Sequence, residues 1–383
     1  MAGVLAIGMG QAFIAVMMGV DTPLAIMQMD ATPFVLGAAY SAWALGRAGS
    51  GFLAGTVFDR RGAKGGLLLS FGLLAVVASG YSLLLGPWVM VFLRLLQGMS
   101  AGIYWTSILS LVGQRVSPTR RVQRLATFNI AVALGGIGGG VVGGWLVAGV
   151  GYRVPFWIAV LLALTLAVVT ALVVHNAPNP VRTSPLPRRF VMTAGIGAIS
   201  VFGGLSQLPS VLSNAALPLE LLRYGRGASA LGIENAALVF GNLVGQWGMY
   251  RYPQLAQRKT ALIALYGIGI LAVAGTAVAS NSWLLMAALV LVGTMVNLYS
   301  IIWTAAIQRQ SGAQDVGRAT GLLRSTGDAM SAASYPLVGV AAHDPGETGL
   351  ALTLVLAGGV VYIWQWLRPG SELEPSQEES YRA

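Results

Sequence analysis

GFLAGTVFDRRGAK, residues 51–64, sits between two apolar runs, and its reading decides the fold. Gly51 and Gly55 are four apart and share one helix face, where a neighbouring helix can approach closely. Asp59 ends that run, followed by Arg60, Arg61, Gly62 and Lys64. A carboxylate there is placed to meet the positive N-terminus of another helix, around Gly317–Thr320. Gly62 permits a tight turn, and the three cations hold the loop at an anionic lipid surface.

The rest of the chain fits that setting. Of 383 residues, 56% are hydrophobic and 9% charged, whereas soluble domains carry about a quarter charged residues. A chain this apolar has lipid as its solvent. The net charge of +10 does not indicate nucleic acid, because the basic residues fall between apolar runs and form no single patch. With no cysteine there are no disulfides and no thiolate metal sites. The N-terminal apolar run has no basic residues before it and no small-residue cleavage site, so it reads as an uncleaved first span.

A spanning helix needs about 20 mainly apolar residues. Cutting at charge clusters and Pro/Gly/Asn breaks predicts spans 1–6 at 3–24, 34–58, 66–85, 88–112, 125–148 and 154–175. Spans 7–12 follow at 190–213, 229–250, 260–280, 283–307, 319–341 and 349–368. The expected organisation is a six-helix half over 1–175, a linker over 176–189, a second six-helix half over 190–368 and a disordered polar tail over 369–383. One set of connections holds 17 Lys or Arg residues and the other only Arg153, Arg223 and Arg226, which predicts both termini in the cytoplasm. A gapless shift of 195 residues pairs Pro23-Leu24 with Pro218-Leu219, Leu36-Gly37 with Leu231-Gly232, and Gly46 with Gly241. It also pairs Lys64 with Lys259, Trp88 with Trp283, Gly98 with Gly293 and Tyr104 with Tyr299. A register kept over four spans predicts two parallel halves related by an internal repeat.

The 51–64 stretch resembles the signature G-x-L-x-G-x-x-x-D-R-x-G-x-K/R of the major facilitator superfamily. That resemblance implies an all-α polytopic membrane fold of twelve helices in two pseudo-symmetric halves. It also implies a gating role for Gly51, Gly55, Asp59, Arg60, Gly62 and Lys64, which latch the halves on the cytoplasmic side. The second-half counterpart, Gln246 to Lys259, lacks the Asp-Arg pair. In span 4, RLLQG from Arg94 is similar to the family's R-x-x-Q-G, associated there with proton coupling. Span 5 carries GGIGGGVVGG, similar to the antiporter signature G-x-x-x-G-P-x-x-G-G with Gly140 in place of proline. Gly135, Gly139 and Gly143 share a face, expected to receive a helix of the other half, and Gly140 and Gly144 add to the packing surface. The antiporter likeness implies export, and a plain packing face is the alternative.

Ionisable groups inside spans are costly and usually functional. Here they are Asp21, Arg47, Arg94, Glu234, Arg324 and Asp328, in spans 1, 2, 4, 8 and 11. Spans 3, 6, 9 and 12, peripheral in the family fold, have none. Asp328, Asp21, Glu234 and Arg94 are the candidates for proton coupling, and Arg324 and Asp328, four apart, are expected to meet on one face. Asp21 and Glu234 lie nearer the outer mouth. Arg47, Gln97, Tyr104, Trp105, Asn297, Tyr299, Trp303 and Arg324 are the expected cavity lining, suited to an amphipathic organic substrate.

These residues supply no P-loop, HExxH or GxSxG, so no enzyme, cofactor or metal site is expected. The expectation is a monomeric, proton-coupled exporter of a small organic or amphipathic compound in the inner membrane. Uptake of an organic anion on Arg47, Arg94 and Arg324, and a transport-inactive assembly factor, are the alternatives. The latch gives a direct prediction. Asp59→Asn should leave insertion intact but shift the protein away from the cytoplasm-closed state, removing about 0.3–2 kcal/mol of interaction with the helix N-terminus. Single cysteines on this cysteine-free background should then label faster from the cytoplasmic side, and unchanged labelling and transport would refute the latch.

Overall fold

The computed structural model describes residues 2–114, 118–175, 194–206, 227–252, 259–279, 281–310 and 316–341, in some stretches, including 51–61 and 118–126, by helix backbone alone. All its regular structure is helical. In chain order the helices are α1 (Ala2–Met27), α2 (Pro33–Ser82), α3 (Pro87–Gln114), α4 (Pro118–Val150) and α5 (Arg153–Val173). They continue as α6 (Ala194–Leu205), α7 (Ala228–Arg251), α8 (Lys259–Val278), α9 (Ser282–Gln310) and α10 (Val316–Ala341). Proline opens α2, α3 and α4, where its missing N–H leaves no bond unmade and its fixed φ suits the first turn. α2 holds spans 2 and 3, broken at Gly62, whose φ of 68° and ψ of −177° interrupt the helix. A Cβ is strained at that φ, so the turn expected of Gly62 depends on glycine. Spans 4 to 11 are α3 to α10 in order. The predicted linker 176–189, span 12 and the tail 369–383 lie outside the described residues.

Lys64, just past the break, donates from Nζ to the carbonyl of Ala171 at 2.6 Å. It caps an orphan carbonyl in the last turn of α5, in addition to any role at the lipid surface. α5 shows an exposed apolar stripe of Trp157, Leu161, Leu164, Val168 and Leu172. Val76 on the second arm of α2 and Leu271 on α8 are likewise exposed. Spans 3, 6 and 9 therefore turn apolar side chains outward, as a helix in lipid must.

The 195-residue repeat is visible in how the backbones cross. A Cβ on Gly46 would stand 2.1 Å from the carbonyl of Leu95, and one on Gly98 2.0 Å from that of Trp43. The repeat partners do the same: Gly241 meets the carbonyl of Val290 at 2.1 Å, and Gly293 that of Leu238 at 2.0 Å. Contacts this close require two hydrogens where other residues carry a side chain, so the glycines fix where α2 crosses α3 and α7 crosses α9.

The halves meet through a second symmetric pair. A Cβ on Gly37 of α2 would lie 2.6 Å from the carbonyl of Tyr335 on α10, and one on Gly232 of α7 2.4 Å from that of Gly140 on α4. Ser41 donates to the carbonyl of Ala332 at 2.6 Å, and the rings of Tyr40 and Tyr335 stack at 5.2 Å. Val20, Leu24, Val147, Leu231, Leu285 and Leu289 form one buried cluster beside these contacts. All lie toward the end where α1 turns into α2 and α4 into α5, opposite the Arg-rich loops. Among the described residues these contacts close the two halves against each other at that end, called the far end below.

The glycine-rich run of α4 presents two stripes, and their roles differ from expectation. Gly135, Gly139 and Gly143 pack on Met9, Phe13 and Met17 of α1, inside the same half. The other half is met by Gly136, Gly140 and Gly144, which face Val239, Gly232 and Ala228 of α7. Adjacent positions on a helix point about 100° apart, so one glycine-rich segment serves two neighbours. Gly139→Leu should therefore destabilise the first half itself by about 1–3 kcal/mol, the range for overpacking, and lower its melting temperature. Gly144→Leu should leave that half folded but part the far-end seal, exposing a cysteine placed at Leu285 to labelling. Equal behaviour of the two variants in both assays would disprove the division of roles.

Candidate functional site

On the basic-loop side of the seal, between the halves, lies a cavity of about 380 Å³. α2 contributes Arg47 and Ser50, α3 Trp105 and Thr106, α9 Trp303 and Thr304, and α10 Arg324 and Asp328. Arg47 grips Asp328 side-on: Nε donates to Oδ2 at 3.0 Å and Nη2 to Oδ1, forming an ion pair across the two halves. The guanidinium also sits 4.4 Å from the ring centroid of Trp43. The partner of Asp328 is thus Arg47 and not Arg324, as the four-residue spacing suggested. Residues four apart share a face, but a planar fork needs a carboxylate end-on, which the facing helix offers better. Arg324 lines the same cavity, within electrostatic reach of both Arg47 and Asp328. Among the described residues, two cations and one anion line this cavity, a net positive set. Trp303 stacks on Phe202 at 5.8 Å, fixing an aromatic wall.

A second cavity, of about 240 Å³, is lined mainly by the first half and shares Trp105 with the first. Arg94, Gln97 and Tyr104 of α3 line it, with Gln11 of α1, Tyr40 of α2 and Asn235 of α7. Arg94 is 4% exposed, donates from Nη1 to Oε1 of Gln97 at 3.1 Å and lies 4.9 Å from the ring centroid of Tyr40. Gln97 is held further by the hydroxyl of Tyr81, which donates to its Oε1 at 3.0 Å.

Asp21 is fully buried near the far-end seal on α1, and Oδ1 lies 3.2 Å from where a Cβ on Gly143 would stand. Neither of its carboxylate oxygens has a hydrogen-bond partner among the described residues. Glu234 is buried on α7 near the same end. Two expected lining residues are elsewhere. Tyr299 donates to the carbonyl of Leu265 at 2.8 Å and fills the core between α9 and α8, while Asn297 packs beside Gly245 where α9 meets α7. Tyr104 is their contrast: its repeat position matches Tyr299, yet it faces a cavity. Of the gating stretch, Gly62 and Lys64 are described above, while the surroundings of Gly51, Gly55, Asp59 and Arg60 lie outside what is described. Gln11, Tyr40 and Trp43 were not singled out from the sequence. A single Gln among the apolar residues of the first half of span 1 was the available signal for Gln11.

A bundle of apolar helices with two internal polar cavities, sealed at one end, is the build of a membrane transporter. The model of the Major Facilitator Superfamily matches residues 1–335, and the chain belongs to that family. It is an all-α polytopic membrane protein in the family's twelve-helix, two-half arrangement. An uncharacterized MFS-type transporter of Yersinia pseudotuberculosis serotype O:3 (strain YPIII) is 24% identical over 308 residues, 79% of this chain and 78% of that one. Among solved structures, a bacterial homolog of the human lysosomal transporter Spinster, inward-facing and occupied, superposes with a TM-score of 0.75 at 12% identity. It covers 95% of both chains. The nucleoside transporter NupG gives 0.73 at 13% identity over 96% of this chain and 99% of its own.

The cross-half ion pair makes a thermodynamic prediction. Arg47→Gln leaves the Asp328 carboxylate in the bundle without its counter-ion, so the melting temperature of the purified protein should fall. Adding Asp328→Asn should recover part of that loss, with a coupling energy of about 0.5–3 kcal/mol in the double-mutant cycle. Strictly additive effects would show that the pair contributes nothing to holding the halves together.

Proposed function

We propose that this protein is a proton-coupled secondary transporter that exports a small organic or amphipathic compound by alternating access. The observation that carries this reading is the Arg47–Asp328 ion pair, which joins the halves at the wall of the cavity between them. Substrate enters that cavity beside Trp105, Trp303 and Arg324. A proton and Arg47 compete for the same carboxylate, so protonation of Asp328 releases Arg47 and frees the halves to move. Asp21 and Glu234, buried carboxylates near the far-end seal, are the second proton sites, and Arg94 supports coupling from α3. The moving bodies are residues 1–175 and 190–368, acting as a monomer and joined by 176–189.

The cation excess of one set of loops supports both termini lying in the cytoplasm, in the inner membrane. In that orientation the far-end seal closes the outer side and the 380 Å³ cavity lies toward the cytoplasm. The Gly51–Lys64 stretch then acts as the cytoplasmic latch of the opposite state. The likeness of the α4 glycine run to the antiporter signature favours export. A second reading, uptake of an organic anion, is favoured by the net positive charge that Arg47 and Arg324 give the cavity. Counterflow in proteoliposomes under an imposed pH gradient separates the two directions.

Asp328→Asn tests the coupling role, because Asn accepts from Arg47 but carries no proton through the cycle. With a substrate found by thermal-stability screening, gradient-driven accumulation should disappear while binding and gradient-free exchange survive. A well-folded Asp328→Asn protein that still concentrates substrate would remove Asp328 as the coupling site.

A further inference from the structure

α4 and α7 run antiparallel along the boundary between the halves, and they part toward the basic-loop side. At the far end their backbones touch. A Cβ on Gly144 would stand 2.6 Å from the carbonyl of Ala228, and one on Gly140 3.0 Å from that of Gly232. At Gly136 the nearest atom is already a side chain, that of Val239, at 3.1 Å. Past it the helices border a groove of about 760 Å³. Thr127 and Ile130 of α4 line one wall, and Phe240, Val244, Trp247 and Tyr250 of α7 the other. All six are exposed, and the groove shares no lining residue with either internal cavity. An exposed apolar wall on a membrane bundle faces lipid, so the groove opens sideways into the bilayer.

Any lipid chain can lie in an apolar groove, and the charge at its mouth decides which headgroup comes with it. Trp247 and Tyr250, 64% and 65% exposed, put two amphipathic rings at the mouth, the kind that settle at headgroup depth. Arg251 follows on α7, four positions after Trp247, and Arg124 lies three before Thr127 on the continuous backbone of α4. Each is thus one turn beyond the groove on its own helix face. Arg251 is exposed, lies 5.4 Å from the ring centroid of Tyr252 and has no acid partner among the described residues. The sequence adds Arg120, Arg121, Arg258 and Lys259 on the same two connections, and neither 115–131 nor 246–260 contains an acid. Clustered cations beside a span attract anionic headgroups. We infer that the groove between α4 and α7 binds an anionic phospholipid of the adjoining leaflet, one acyl chain between the helices and its phosphate among these cations. Because the two walls belong to different halves, the lipid is a wedge. It holds α4 and α7 apart on the basic-loop side and so favours the state in which the far end is closed. Only that consequence rests on the transporter reading; the binding itself does not.

The test is native mass spectrometry of the purified full chain titrated with phosphatidylglycerol, against phosphatidylcholine carrying the same acyl chains and against chain-free glycerol 3-phosphate. Phosphatidylglycerol should bind in preference to phosphatidylcholine, and glycerol 3-phosphate should not compete. Arg251→Gln should weaken phosphatidylglycerol binding about 5-fold, the contribution of one cation near a charged lipid surface. Val244→Trp fills the groove without changing any charge and should weaken binding about 10-fold or more, the cost of overpacking. Both side chains are exposed, so both variants should fold, with melting temperatures near that of the wild type. The wedge is read with a single cysteine at Leu285 in nanodiscs. It should label more slowly in phosphatidylglycerol than in phosphatidylcholine, and Val244→Trp should remove the difference. Equal binding of the two lipids, or unchanged binding in Val244→Trp, would overturn the site. The first would mean unselective bulk lipid, and the second attraction to the loop cations alone. Labelling that ignores lipid while binding persists would overturn the wedge. Neither measurement involves transport, so a failure of the proton-coupled export reading is seen separately.

Discussion

Everything in this bundle depends on backbones that approach to within contact distance at glycine. Lipid tails are as apolar as leucine, so water does not drive these helices together, and close van der Waals contact has to. Gly46, Gly98, Gly241 and Gly293 set the crossings inside each half, and Gly37 and Gly232 set the crossings between halves. The inter-half contacts are clustered toward the far end, where Val20, Leu24, Leu231 and Leu289 fill the space around them. The space beyond them holds the cavities. Seal and cavity are thus two consequences of one placement of small residues.

Polar groups follow from the same geometry. A charge within a span is tolerated where it faces protein or a water-filled space, and the six intramembrane ionisable residues avoid the described peripheral spans. Arg47 and Asp328 meet because α2 and α10 cross close by, at Gly37 and Tyr335. The bridge is a contact that any parting of those helices must break. It combines with the Ser41 hydrogen bond and the Tyr40–Tyr335 stack to make one continuous seam from the seal to the cavity. Tyr40 also touches Arg94, which links the seam to the second cavity. A change at either cavity therefore reaches the interface between halves through contacts between neighbouring side chains.

The sequence alone determined the class of structure. Composition requires a lipid solvent, the apolar runs count the spans, and the 195-residue register pairs glycines that later prove to be the same crossing in each half. Asp328, Arg47 and Arg94 stand out because an ionisable group in an apolar span is conspicuous in one dimension. Tertiary structure decided who meets whom. Helical spacing put Arg324 beside Asp328, but α10 docks so that Arg47 of another helix reaches the carboxylate with a better-matched fork. Spacing also grouped Gly135, Gly139 and Gly143 on one face without saying which helix fills it, and α1 does. Tyr104 and Tyr299 are equivalent in the repeat, yet one faces a cavity and the other donates to Leu265. The physical reason is common to all three. Periodicity fixes which residues share a face of their own helix, whereas partners depend on the rotation and depth of the neighbouring helix, which no local pattern encodes.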